Sequence, residues 1–390
     1  MSNNEYVQVD IPSSKALILS SKIKDLHRID AIFFDCDGVL IDVRESYDAT
    51  IIETVRFLAQ KLMAISVPPF LQLQRAILEL RKSGGFNNDW CVSYALLLGI
   101  YCYVQNDEKL EPLGFPKIER GKILDGIEHS AKEAKDASNV SISESWQNVS
   151  EKIVQLGIRA DSSGIVSVER ALNDEKYEAT LKSAKGILGY PVESSKVGRV
   201  FDEMFYGREL FFKKFEIEPE FYDGDGFVEM ETPAINQETL NRLITSVGKQ
   251  NIGIISGRDH ISASKTLGSL IKNFESENLF FLGERLHSDV RKGKRTDPLL
   301  NKPNPEILIQ AMKNLGDIQR CLYVGDSAED LLMVQRANKI VSRFAFVGVY
   351  NLVNFKDEMR SYFLENGADA ILPSVNDLPE LMNLLGEWRQ

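Results

Sequence analysis

The chain of 390 residues is 43% hydrophobic and 26% charged, a globular mix that excludes disordered and fibrous classes. Its 46 Lys and Arg stand against 57 Asp and Glu, and the net charge of −11 argues against nucleic-acid or membrane partners. The 4 cysteines are scattered without a CxxC pair, and no basic and apolar leader opens the chain, so a cytoplasmic protein with reduced thiols is expected.

Residues 1–28 are polar and mixed, either a tail or a short decoration on the neighbouring domain. Ala31–Phe34 is an apolar run that ends abruptly in Asp35-Cys36-Asp37-Gly38, and it reads as a buried strand with acids at its carboxyl end. From 43 to 233 the pattern turns helical. Apolar faces recur over Tyr47–Ala64 and Leu71–Arg81, and Asn87 or Asn88 can cap a third helix starting at Asp89-Trp90. The stretch Tyr94–Val104 is about half a membrane span, too short to cross one. Ile118–Ala137, Ser143–Leu156, Ser167–Leu188 and Ser194–Phe215 also read as helices, and Phe221–Glu229 as a hairpin turning at Asp225-Gly226. This insert is long enough to have its own core.

Beyond 233, strand and helix alternate. Strand runs at Ile252–Ile255, Leu279–Leu282, Leu322–Val324, Phe344–Tyr350 and Ala370–Leu372 are separated by helical patterns. Such alternation predicts an α/β fold, a Rossmann-like parallel sheet covered on both faces, with the mostly helical insert leaving it after the first strand. Ligands of these sheets sit beyond the carboxyl ends of the strands.

Four segments end or follow strands there. Asp35 and Asp37 leave the first strand, so one carboxylate can face a cation and the other a leaving group. Ser256-Gly257-Arg258 offers a hydroxyl and free amides where a strand leads into a helix, a place for a phosphate oxygen. Lys302-Pro303-Asn304-Pro305 sets a cation just before a helix. Asp326, Glu329 and Asp330 end a second strand in acids.

This ordered set, acid pair, Ser, Lys, acid pair, resembles the haloacid dehalogenase-like superfamily of aspartate-nucleophile phosphotransferases, over residues 29–42 and 234–390. The resemblance implies a catalytic α/β core there, with 43–233 as a helical cap that selects the substrate. It implies Asp35 as nucleophile, Asp37 as general acid and base, and Ser256, Gly257 and Lys302 around the phosphoryl group, with Arg258 beside Ser256 either assisting that binding or pairing with an acid. Mg²⁺ would be held by Asp35, the Asp37 carbonyl and Asp326, with Asp330 steadying the metal shell or Lys302. Dehalogenases of this superfamily need neither a metal nor a second aspartate, so Asp37 favours phosphoryl transfer. The expected substrate is a small phosphomonoester such as a sugar phosphate or a phosphoglycolate-like metabolite.

Glu45, Tyr47, Asn87, Asn88 and Asp89 are the specificity candidates in the insert. Cys36 should point into the core. The rival readings are a phosphomutase or phosphonate hydrolase of the same superfamily, or a binding protein on a retired enzyme scaffold; a homodimer is compatible with each. The basic stretch Glu284–Leu300 is longer than usual before the lysine.

Overall fold

A computed structural model describes residues 5–12, 14–86, 88–107, 110, 144–192, 195–283 and 302–387. Asn87, the expected helix over 118–137 and the basic stretch 284–300 lie outside the described residues. Ten strands occur among those described: β1 (Tyr6–Ile11), β2 (Ser14–Leu19), β3 (Ala31–Phe34), β4 (Ile41–Asp42), β5 (Thr232–Pro233), β6 (Ile252–Ser256), β7 (Leu279–Phe281), β8 (Cys321–Gly325), β9 (Phe344–Val349) and β10 (Ala370–Leu372). Eight form one sheet in the order β1-β2-β10-β9-β8-β3-β6-β7, while β4 and β5 pair separately.

From β10 to β7 the strands are parallel. Every residue of β3, β6, β8, β9 and β10 is buried, the mark of a sheet with helices on both faces. Alternation sends Ile32, Phe34, Ile252, Ile254, Leu322 and Val324 to one core. Ala31, Phe33, Ile255, Cys321 and Tyr323 go to the other. Helices Gln237–Val247 and Leu378–Glu387 cover the first face; Glu306–Asn314, Ala328–Ile340 and Lys356–Glu365 cover the second. The chain thus has an α/β, Rossmann-like and mostly parallel sheet, as its apolar runs predict.

Of the two readings of the N-terminal residues, a tail does not hold for Tyr6–Leu19, which is built onto the sheet of the domain that follows. They form a hairpin, with β2 antiparallel to β10 through Ile18 opposite Ala370 and Leu17 opposite Ile371. Ala16 and Ile18 are wholly buried, and the Tyr6 hydroxyl donates to the Ala368 carbonyl at 2.8 Å.

The chain divides into two compact units, residues 1–44 with 230–390, and residues 45–229. The second is helical. Its helix Asp89–Gln105 is apolar on all sides and accordingly buried, with Tyr94, Leu97, Leu98 and Ile100 inaccessible. Three expectations change here. Ser167–Leu188 is two helices, Ile165–Asp174 and Glu178–Leu188, separated where Lys176 adopts φ 67°. Lys196–Phe215 is kinked at Gly207, whose φ of 66° and ψ of 172° leave the helical region. No hairpin forms at Asp225-Gly226. The backbone there bridges to Gly207 instead, and residues 227–230 make a helical turn. The buried Glu203 carboxylate draws in this segment by accepting the amides of Glu220, Phe221 and Tyr222 at 2.6–2.9 Å.

Candidate active site

β3 lies between β6 and β8, so three strand ends meet at one edge of the sheet. The Asp35 amide donates to Val324 O at 2.9 Å, extending the β3–β8 pairing by one residue. That brings the turn after β3 beside the one after β8. Gly38, at φ 69°, lets the chain reverse, and a Cβ on it would lie 1.9 Å from Asp326 Oδ2. The absence of a side chain at 38 is therefore what gives the Asp326 carboxylate its place.

Oxygens of Asp35, Asp326 and Asp330 lie within 4.8 Å of one another. Lys302 Nζ sits 2.9 Å from Asp35 Oδ1 and 2.8 Å from Asp330 Oδ1. Asp35 Oδ1 also accepts the Cys36 amide at 2.7 Å, which fixes the carboxylate's orientation. Burial pushes the Asp35 carboxyl up to about 6; Lys302 opposes the rise, while Asp330 and Asp37 add to it. Burial also drives Asp326 well above the carboxylate range, with Asp35 and Asp330 reinforcing it. Burial works against the Lys302 ammonium, yet Asp330 and Asp35 outweigh it and hold the lysine firmly charged.

Asp330 is fully committed. Besides Lys302 it accepts from the Tyr323 hydroxyl at 3.2 Å and from Ser327, with which it forms the capping box of helix Ala328–Ile340. Gly325 makes room for it, since a Cβ there would meet the Asp330 side chain at 2.5 Å. Beside it, burial and the Asp330 charge raise Glu329 to about 8. Among the described residues no group donates a hydrogen bond to Asp326.

The set fits a divalent cation. All its donors are hard oxygens, and once the three buried carboxylates are ionised a single ammonium cannot balance them.

Ser256 ends β6, next to β3, with its Oγ accepting the Arg258 amide at 3.2 Å. A Cβ on Gly257 would meet no atom within 4 Å, so open space adjoins this turn. Arg258 pairs with acids, one of the two roles expected of it. Its buried guanidinium donates to Asp37 Oδ1 at 2.7 Å and forks onto both oxygens of Glu231. Cys36 is inaccessible in the core, and burial raises its thiol well above the usual range.

The specificity candidates belong to the helical unit. Tyr47 stacks on Phe205 at 4.7 Å, the Asn88 side chain caps its helix through the Trp90 amide at 2.8 Å, and Asp89 pairs with Arg81 at 2.9 Å. Glu45 is exposed. Sequence reasoning passes over Tyr323 and Glu231. The first carries a faint signal, a hydroxyl in the middle of an otherwise apolar strand; the second, in Glu231-Thr-Pro, carries none.

With this geometry in place, the sequence matches the family described as haloacid dehalogenase-like hydrolase over residues 29–338, and the chain belongs to that family. It is a hydrolase of that class. No curated protein matches it. Among solved structures, an X-ray structure from the Northeast Structural Genomics Consortium superposes with a TM-score of 0.58 at 18% identity, covering 92% of this chain and 100% of the other. Two more distant ones are a putative haloacid dehalogenase-like hydrolase from Bacteroides fragilis, with TM-score 0.33, 14% identity and coverage of 90% and 100%, and a hydrolase from Pseudomonas syringae, with TM-score 0.35, 14% identity and coverage of 92% and 99%. Among the described residues no helix is long and apolar enough to cross a membrane.

Proposed function

We propose that this hydrolase is a Mg²⁺-dependent phosphatase that cleaves a small phosphomonoester through an aspartyl-phosphate on Asp35. The observation that carries the reading is the buried Asp35 carboxylate, 2.9 Å from Lys302 and grouped with Asp326 and Asp330. A Ser nucleophile would need a general base, whereas a carboxylate needs only relief from charge repulsion.

Asp35 attacks phosphorus, an Asp35 O–P bond forms, and the bond from phosphorus to the ester oxygen breaks. Asp37 gives its proton to the leaving alkoxide. In the second step water attacks the same phosphorus, Asp37 takes its proton, and the Asp35 O–P bond breaks to release phosphate. Lys302 and Ser256 hold the phosphoryl oxygens, and Asp330 keeps Lys302 in place. Asp35, Asp326 and the Asp37 carbonyl would hold Mg²⁺, which supplies charge neutralisation of the phosphoryl group when bound. None of these groups reads the leaving group, so substrate choice is assigned to the helical unit.

The test is a panel of phosphomonoesters with Mg²⁺ and with excess chelator. Activity should need the cation, and Asp35→Asn should lose about a thousandfold or more, because an amide is no nucleophile. Full turnover in chelator, or an Asn variant within tenfold of the parent, would remove the assignment.

A further inference from the structure

We propose that Glu231 is a positioning residue for Asp37, acting through Arg258 to hold that carboxylate where it can exchange a proton with the leaving group. The inference rests on the phosphoryl-transfer reading above and extends it to a residue with no contact to the reacting atoms.

Three separate segments build the arrangement. Asp37 stands in the turn after β3, Arg258 follows β6, and Glu231 immediately precedes β5. Both side chains of the Arg258–Glu231 pair are 0% exposed, whereas Asp37 is 28% exposed. All three nitrogens of the guanidinium are engaged by the groups around it. Nε donates to Ser262 Oγ at 3.0 Å, Nη1 to Asp37 Oδ1 at 2.7 Å and to Glu231 Oε1 at 3.2 Å, and Nη2 to Glu231 Oε2. Its anchors are anchored in turn. Thr266 Oγ1 donates to Glu231 Oε2 at 2.8 Å, and Ser262 Oγ to Asp259 Oδ2 at 2.6 Å. Of this cluster, Asp37 is the member that opens outward.

Backbone pairing registers the two acids as well. Asp42 is opposite Thr232 and Ile41 opposite Pro233, while Gly38 N donates to Ile41 O and Ala234 N to Leu40 O. The turn bearing Asp37 and the segment bearing Glu231 are thus tied at both main chain and side chain.

Stability alone gives no account of this. Burying an ion pair strips both charges of water, and apolar residues of similar volume often serve the fold as well or better. A planar fork with fixed donors does something apolar packing cannot, which is to set the direction of one carboxylate oxygen. A proton-transfer group must lie within hydrogen-bond reach of the leaving oxygen, so direction matters there more than anywhere else in the site.

The experiment compares kcat/KM for p-nitrophenyl phosphate and phenyl phosphate, esters of nearly the same size whose leaving groups differ in their need for a proton. Glu231→Gln should lose about tenfold more on phenyl phosphate than on p-nitrophenyl phosphate. Because removing the buried partner of a buried arginine can unfold the chain, the double variant Glu231→Leu with Arg258→Met is measured alongside it. It removes both charges and should fold, with the same steepened dependence on the leaving group. Equal losses on both esters in the folded double variant, or no loss, would overturn the inference while the parent's activity upholds the phosphatase reading. A parent inactive on both esters would overturn the two together.

Discussion

In its proposed role Asp35 carries opposed demands, since a nucleophile must be anionic and yet this one sits where burial and neighbouring acids resist the charge. Its carboxyl is raised from 3.8 to about 6 in the folded chain. A group that binds its proton more tightly when folded favours the folded state below the unfolded pKa, and that contribution is lost as pH rises through about 6. In metal-free protein at pH 8 the ionised carboxylate then works against the folded state. Asp35→Asn should therefore unfold at a higher temperature than the parent at pH 8 in chelator, the gap closing toward pH 4. Added Mg²⁺ should raise the parent more than the variant. Thermal melts across this range check it, and a variant less stable than the parent at pH 8 would contradict the charge balance. The residues in this balance were legible because each ends a strand or opens a helix, where carboxylates and an ammonium have no packing reason to stand. Glu231 was not legible. It follows a helical turn in an irregular connector, and its partner Arg258 becomes meaningful only once β3 and β6 are neighbours.

Elements were readable where burial was two-sided and unreadable where it was partial. The runs of β3, β6, β8, β9 and β10 are apolar throughout because helices cover both faces, and composition reports that directly. β1, at the sheet edge, reads Tyr-Val-Gln-Val-Asp-Ile, with most of its residues exposed or half-buried, and its period of two is too short to stand out from a polar tail. Its place depends on a pairing with β2, and β2's on β10, at the far end of the chain. Ile18 is the residue that makes this attachment energetic, inaccessible in the core and opposite Ala370. Ile18→Ala should cost about 2–4 kcal/mol in chemical denaturation, and a loss under about 1 kcal/mol would mean that the hairpin adds little to the sheet. The turn after β3 poses the opposite case, tight and fully specified. Gly38→Ala combines φ 69° with a Cβ 1.9 Å from Asp326 Oδ2. It should displace that carboxylate and abolish the Mg²⁺-dependent rise in melting temperature. An unchanged rise would show that Asp326 is not needed for the cation.

For the whole molecule, the alternation of strand and helix revealed the α/β unit, and its interruption soon after β3 revealed a second, helical one. What periodicity could not supply was the internal architecture of the helical unit. The kink at Gly207 and the segment gathered by Glu203 depend on contacts between distant backbone atoms. The same contacts sort the specificity candidates in a way that their sequence positions do not. Asn88 caps a helix, Asp89 neutralises Arg81 and Tyr47 stacks on an aromatic ring, so each has an intramolecular task. Glu45 is exposed at the start of the unit, a few residues past the Asp37 turn. If the helical unit selects the substrate, its contribution should separate from these structural tasks. Asn88→Ala should cost about 1 kcal/mol of stability through the lost cap and lower kcat/KM for all esters in proportion. Glu45→Gln should leave the melting temperature within about a degree, since it removes one exposed charge, and reorder the esters, favouring those with an anionic leaving group once the repelling carboxylate is gone. The measurement is kcat/KM over a panel of neutral and anionic phosphomonoesters for both variants. An unchanged order in Glu45→Gln, or a reordering confined to Asn88→Ala, would move the selection away from Glu45 and into the segment beginning at Asn88.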